Sequence, residues 1–340
     1  MTNLETKVYS SIDAVNQSQW NNLVGNSDRG SLFQSYLWLS SLESTLDVEP
    51  RHIVVSKDGN PIGVLPNFLT NVPVASIQKL ESLPFGSGGP VISSNESNVL
   101  PLLLDKVEQI CSGFILRHEI ISQKDGYMRY SKPLMNRGYK PQQTHCRFLI
   151  DLTQSWSEIK NSMSSERRNL IRKAIEQDFS VMREPLTTEN LYSFHKDYKA
   201  TMDRVNTSPY PLQFFQQLSI DISNRISLVR AYVKGELVGS HFYVEDGDRI
   251  IHLFSGIKED YFEYYPSELI HRHVIKNHSK EKIKKYDFGS TAASFDNGLF
   301  KYKQSYGGRL VPNLHWEKPS SRTLSGVFKA GKFIYQYFND

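Results

Sequence analysis

Apolar residues recur at helical spacing over Asn16–Val24, where Trp20, Leu23 and Val24 share a side, and over Ser31–Leu46, with Phe33, Leu37, Leu42 and Leu46. Arg51–Ser56 alternates as a strand, Lys57-Asp58-Gly59-Asn60 reads as a hairpin turn, and Pro61–Phe68 is its returning partner. Ile77–Leu83 is a further predicted strand, Phe85–Pro90 a Gly-rich loop, Asn98–Cys111 a helix and Gly113–Ile121 a strand. A similar order begins again in the second half. Pro209–Ile222 reads as a helix, and Ile226–Val233 and Leu237–Glu245 as strands about Lys234-Gly235-Glu236. Arg249–Ser255 is the next strand, Ser267–Asn277 a helix and Lys285–Phe288 a closing strand.

The two hairpins share a spelling. Gly59-Asn60-Pro61-Ile62-Gly63 corresponds to Gly235-Glu236-Leu237-Val238-Gly239, half a chain later. A repeated element order around a repeated turn predicts two similar units. The fold class is therefore α/β (α+β), with two tandem domains of mixed sheet flanked by helices. The expected boundaries are 1–145, 146–316 and a C-terminal segment 317–340. Ser157–Asp178 opens the second domain as a basic amphipathic helix or helix pair, with Arg168 and Arg172 one turn apart. Ser320–Phe338 reads as a helix docked on the first domain, and its Lys, Arg and aromatic residues also suit a membrane surface.

Composition narrows this picture only modestly. The 340 residues are 39% apolar and 12% aromatic, enough for two cores, and the net charge of +4 does not mark a nucleic-acid binder. DNA is not an expected partner. No apolar run reaches the roughly 20 residues of a membrane span, and the first residues are polar, so a cytoplasmic protein with at most peripheral membrane contact is expected. Cys111 and Cys146 form no CxxC pair and are expected as free thiols. His271 and His273 are poorly spaced for a shared ligand on a helix, and no metal is expected.

The chemistry concentrates in Lys285–Leu310. A strand ends in Tyr286-Asp287-Phe288-Gly289, a loop of small residues starts at Ser290, and Gly298-Leu299-Phe300-Lys301-Tyr302-Lys303-Gln304-Ser305-Tyr306-Gly307-Gly308 follows. Such a loop lets a ligand approach the backbone at Gly289 and Ser290. The ordered pair of motifs resembles the tail of the FemAB-like aminoacyl and acyl transferases, a tandem-domain branch of the GCN5-related N-acetyltransferase (GNAT) superfamily. The same D-F-G in a protein kinase would need a Gly-rich loop and an H-R-D loop, and neither is present.

The resemblance implies an N-acyltransferase. The donor would be an aminoacyl-tRNA or an acyl thioester, and the acceptor an amine on a cell-envelope precursor or a sugar, free or linked to a nucleotide or lipid. These are co-substrates, and no cofactor is implied. Lys303 matches the family lysine that offsets the charge of the tetrahedral intermediate, and Tyr302 the aromatic beside it. Asp287 is a candidate to orient the amine or accept its proton, or else caps the following loop. Arg167, Arg168, Arg172 and Lys173 match a basic stretch suited to phosphate. Tyr264, Ser267 and Glu268 match positions before and at the start of a helix, where Ser267 also suits a cap. If the chain is extended here, Lys301 and Lys303 point the same way, so spacing leaves open which faces the ligand. A cleft between the domains is expected, with Tyr302 and Lys303 on its wall.

Two departures refine the resemblance. The pyrophosphate loop of acetyl-CoA-binding relatives is absent, since Gly256–Pro266 is acidic and glycine-poor. FemAB-like enzymes lack it too. The phosphate-binding lysine that some peptidoglycan-modifying members carry after Gln34-Ser35-Tyr36-Leu37-Trp38 is missing, which weakens a peptidoglycan-precursor acceptor. A non-catalytic double-GNAT binding module is the alternative reading.

Overall fold

The computed structural model describes residues 4–72, 77–112, 115–278 and 281–320. The C-terminal helix expected over Ser320–Phe338 lies, beyond its first residue, outside the described residues. The chain divides into two compact units, residues 144–312 and residues 1–143 together with 313–340. No helix among the described residues is long and apolar enough to cross a membrane. Cys111 and Cys146 are both free.

In the first unit, the hairpin His52–Lys57/Asn60–Leu65 lies between strands Leu4–Tyr9 and Val91–Ile92 in a four-stranded sheet. Helix Glu96–Ile110 buries Val99, Leu100, Leu103, Leu104 and Val107 in one cluster with Ile53 and Val55. A second, six-stranded sheet contains Phe68–Asn71, Gln78–Glu81 and Ile115–Ser122. Pro61–Phe68 is thus not one strand: the hairpin ends at Leu65, and Phe68 starts a strand of the other sheet. The strand Leu314–Pro319 inserts between Ile115–Ser122 and Lys140–Gln142. Residues 313–316, expected in the second domain, therefore belong to the first unit.

The second unit is one mixed sheet. Its order is Phe179–Glu184, Ile226–Val233, Glu236–Asp246, Arg249–Ile257, Lys285–Asp287, His145–Asp151, Thr291–Ala292, with Arg309–Pro312 also on His145–Asp151. Side chains alternate between the faces. Phe242 joins Phe194, Tyr198, Phe215 and Phe254 in an aromatic cluster under helices Thr188–Arg204 and Leu212–Asp221. Tyr243 faces the other way and joins Val229, Ala231, Leu269, Ile270 and Ile171 beneath helices Pro266–Lys276 and Ser165–Ile175. The basic segment is a helix pair, Trp156–Ser162 and Ser165–Ile175, each opened by a serine cap.

The repeat is visible in backbone detail. Asp58 and Gly59 have φ of 51° and 80°, and Lys234 and Gly235 have 52° and 82°, so both turns have two positive-φ residues of the kind that matches strand twist. Each hairpin also shifts register at the same distance from its turn. Val55 faces Gly63 but Ser56 faces Pro61, and Ala231 faces Gly239 but Tyr232 faces Leu237. One extra residue, Ile62 or Val238, bulges from each returning strand.

Among the described residues the second unit contains one parallel pair, Arg249–Ile257 with Lys285–Asp287, joined by helix Pro266–Lys276. Pairing runs from Arg249↔Lys285 to Ile251↔Asp287 and stops, although the first strand continues to Ile257. The strands fork there, and the fork positions the residues that follow.

Candidate functional site

Gly289 sits at the fork with φ +71°, and a Cβ on it would lie 2.6 Å from the His252 carbonyl oxygen. Only glycine fits both the conformation and the approach. Its positive φ turns the chain so that the Gly289 and Ser290 carbonyls accept hydrogen bonds from Lys303 Nζ at 3.1 and 2.9 Å. Lys303 comes from a short helix, Gly298–Gln304, capped by the Asn297 side chain on Phe300 N–H. This stretch is helical, not extended. Residues two apart on a helix face nearly opposite ways, so Lys301 is exposed while Lys303 is 6% exposed. Burial lowers the Lys303 ammonium to about 8, with Asp287 and then Cys146 acting in the opposite direction. An ammonium has three N–H donors. Two are held by the carbonyls, and a third suits a developing oxyanion.

Asp287 is fully buried and committed. It accepts from Arg147 Nη1 at 2.8 Å, Arg249 Nη1 at 3.3 Å and Gly289 N–H at 2.9 Å. Arg249 also pairs with Asp246. The last contact is the loop-cap geometry: Asp287 fixes the turn that presents the Gly289 carbonyl, and its lone pairs are directed at arginines rather than at a ligand.

Of the basic residues that open the unit, the structure brings one to the site. Arg167 is 6% exposed, and its guanidinium lies 4.4 Å from the Tyr302 ring centre and 4.7 Å from that of Tyr306. It donates to Ser305 Oγ at 2.9 Å and to Glu268. Burial raises the Glu268 carboxyl, and Arg167 opposes that rise. Arg168 is half-buried and donates to the Met163 carbonyl, while Arg172 is exposed and pairs with Glu176 at 2.8 Å. Lys173 is exposed on the same helix. Tyr264 is half-buried against the core at the end of a 3-10 turn.

Ser267 is not the cap of its helix. Residue Tyr265, in left-handed conformation, occupies that position without a side-chain bond. Ser267 Oγ instead lies 3.3 Å from His241 Nε2 and interacts with the Tyr302 hydroxyl. Behind it runs a buried polar group absent from the sequence reading. His241 Nδ1 is 3.2 Å from the Tyr243 hydroxyl, which is 3.0 Å from the Tyr286 hydroxyl, which in turn bonds His271 Nδ1. Burial lowers His241 to about 3 and His271 well below the usual histidine range. The i, i+2 placement of His241 and Tyr243 on a strand was the available signal. His241, His252 and His271 each bring one nitrogen within 4.8 Å of the others. Yet the His241 and His252 rings lie tilted against each other, 4.2 Å between centroids and 31° between planes, and both His241 nitrogens have hydroxyl partners. His241 and His271 are thus tied into a chain of hydrogen bonds with Ser267, Tyr243 and Tyr286.

Residues 157–304 match the family model described as acetyltransferase (GNAT) domain. No curated protein matches the chain. Among solved structures, FemX aligns over 95% of this chain and 99% of its own, at 15% identity and a TM-score of 0.70. A tandem GNAT protein from the clavulanic acid biosynthesis pathway covers 94% and 99%, at 11% identity and 0.58. L-PGS from Bacillus licheniformis covers 94% and 97%, at 12% identity and 0.59. The fork and its lysine thus lie in the unit that matches the acetyltransferase (GNAT) domain model, and the whole chain shares the tandem fold of FemX and of the tandem GNAT protein.

Proposed function

We propose that the protein transfers an aminoacyl or acyl group from an aminoacyl-tRNA or an acyl thioester to an amine, on a cell-envelope precursor or a sugar, in the cytoplasm. The observation that carries this is the Lys303 ammonium, fixed on two carbonyls at the strand fork. Amine attack on a carbonyl places negative charge on its oxygen, and a preorganised cation there acts more strongly than one in water. Arg167, held over Tyr302 and Tyr306, supplies a rigid cationic wall beside it. The likeness to FemX across the whole chain favours aminoacyl transfer among the acyl transfers open to this family. The missing pyrophosphate loop in Gly256–Pro266 favours a donor other than ordinary acetyl-CoA.

The test is mass-spectrometric. A charged tRNA pool and acetyl-CoA are each offered as donor, with glucosamine and a lysyl peptide as acceptors. The expected result is a mass increment on an acceptor from the tRNA pool. Absence of any increment, with tight binding of either donor, would instead indicate a binding module.

A further inference from the structure

A transfer to an amine must move a proton, and the carboxylate nearest the fork cannot take it, since Asp287 is held by two arginines and a backbone N–H. We propose that Ser267, His241, Tyr243, Tyr286 and His271 form a closed proton relay that takes the proton of the attacking amine and returns it to the leaving group. This rests on the acyl-transfer reading above.

Four consecutive contacts define the relay: 3.3 Å from Ser267 to His241, 3.2 Å to Tyr243, 3.0 Å to Tyr286, and the bond to His271. Every member is a group that both donates and accepts when neutral. Burial keeps both histidines neutral and both tyrosines protonated, so no member holds a fixed charge that would trap a proton. One end is half-buried Ser267, in contact with Tyr302. The other is His271, 1% exposed and enclosed by the rings of Phe288, Tyr302 and Tyr306. A relay open at one end can lend a proton but cannot pass it to solvent.

The bonds balance. The amine nitrogen bonds to the acyl carbon, and the carbonyl π pair moves to oxygen beside Lys303. The ammonium proton passes to Ser267 Oγ as the Ser267 proton passes to His241 Nε2. The Nδ1 proton of His241 moves to Tyr243, that of Tyr243 to Tyr286, and that of Tyr286 to His271 Nδ1. When the C–O or C–S bond breaks, its electron pair leaves with oxygen or sulfur. That atom takes a proton from Ser267 while the shifts reverse. Arg167 and Lys303 both act against a cation at His271, as do the neighbouring His241 and His252. The borrowed proton is therefore held only briefly.

Two readouts test the relay on the full chain. Histidine-selective 15N spectra should show His241 and His271 neutral, each as a single tautomer, at pH 7. Tyr286→Phe should disturb both, because it removes the link between them. In transfer from alanyl-tRNA or acetyl-CoA to glucosamine or a lysyl peptide, Ser267→Ala and Tyr286→Phe should lower kcat roughly tenfold to a hundredfold with KM nearly unchanged. The wild-type rate should bend with the D2O fraction, showing several protons in flight, and the dependence should become linear in Tyr286→Phe. Unchanged kcat and D2O dependence in both variants overturn the relay while leaving acyl transfer standing. A coupled histidine pair with no transfer from either donor removes the acyl-transfer reading and the relay with it. A Tyr286→Phe protein that melts early is replaced by Ser267→Ala, whose half-buried site tolerates the change.

Discussion

Lys301 and Lys303 are two residues apart and have opposite surroundings. Lys303→Met should lower kcat about a hundredfold, since a cation aimed at an oxyanion is worth roughly 3 kcal/mol, while Lys301→Met should leave turnover unchanged. Because Lys303 is buried, the substitution also strands the Gly289 and Ser290 carbonyls, which costs about 1–3 kcal/mol and is partly offset by no longer burying a charge. The pH dependence follows from the lowered ammonium. Lys303 is protonated below about 8 and loses its charge above it. The rate should therefore rise with pH as the acceptor amine deprotonates, then fall above about 8. Lys303→Met should lack that falling limb. A wild-type rate still rising at pH 10 would contradict the oxyanion role. Asp287→Asn should act on folding, because it leaves Arg147 and Arg249 short of their shared carboxylate. A loss of about 3 kcal/mol in denaturant unfolding is expected. At this scale the motif made Lys303 and Tyr302 legible in the sequence. The partners of Asp287 were not, since Arg147 lies 140 residues away on another strand.

Element by element, the second hairpin and the helix after it were readable because alternation and helical period are local signals. Ile226–Val233 has the bounds expected of it. The strand Phe179–Glu184 and the 17-residue helix Thr188–Arg204 were not assigned. The strand is at the sheet edge and has no buried residue, and the helix shows its core only three residues, Leu191, Phe194 and Tyr198. Lys301–Lys303 alternates in a way that suits strand or helix, and only the Asn297 cap and buried Phe300 decide for helix. The fork was invisible because it is the end of a pairing between strands more than 30 residues apart. It can be probed at its tightest point. Gly289→Ala puts a Cβ against the His252 carbonyl in a left-handed conformation, at a cost of about 1–3 kcal/mol. It should also lower kcat by moving the carbonyls that hold Lys303, a coupled loss that calorimetry and turnover together would register. A stable variant with full turnover would show that the fork is not rigid.

On the scale of the whole molecule, the chain leaves its first unit at residue 143 and returns to it at 313. The return is built into a sheet. Leu314–Pro319 pairs with Ile115–Ser122 along six residues and with Lys140–Gln142 along three, and Trp316 is 2% exposed among Tyr139, Ile120 and Leu134. A strand with partners on both sides is interior, so its removal opens two edges at once. It also makes the first unit depend on residues translated after the second, so the first unit cannot complete its sheet until the second has been synthesised. Trp316→Ala should cost the first unit about 3–5 kcal/mol through the cavity it leaves. Truncation after Pro312 should be more severe. Limited proteolysis of that fragment should cut within residues 1–143 and leave 144–312 resistant, since the second sheet takes all its strands from within that range. Equal resistance of both units in the truncated chain would mean that the inserted strand is dispensable, and the first unit would then have to close its sheet by pairing Ile115–Ser122 with Lys140–Gln142 directly.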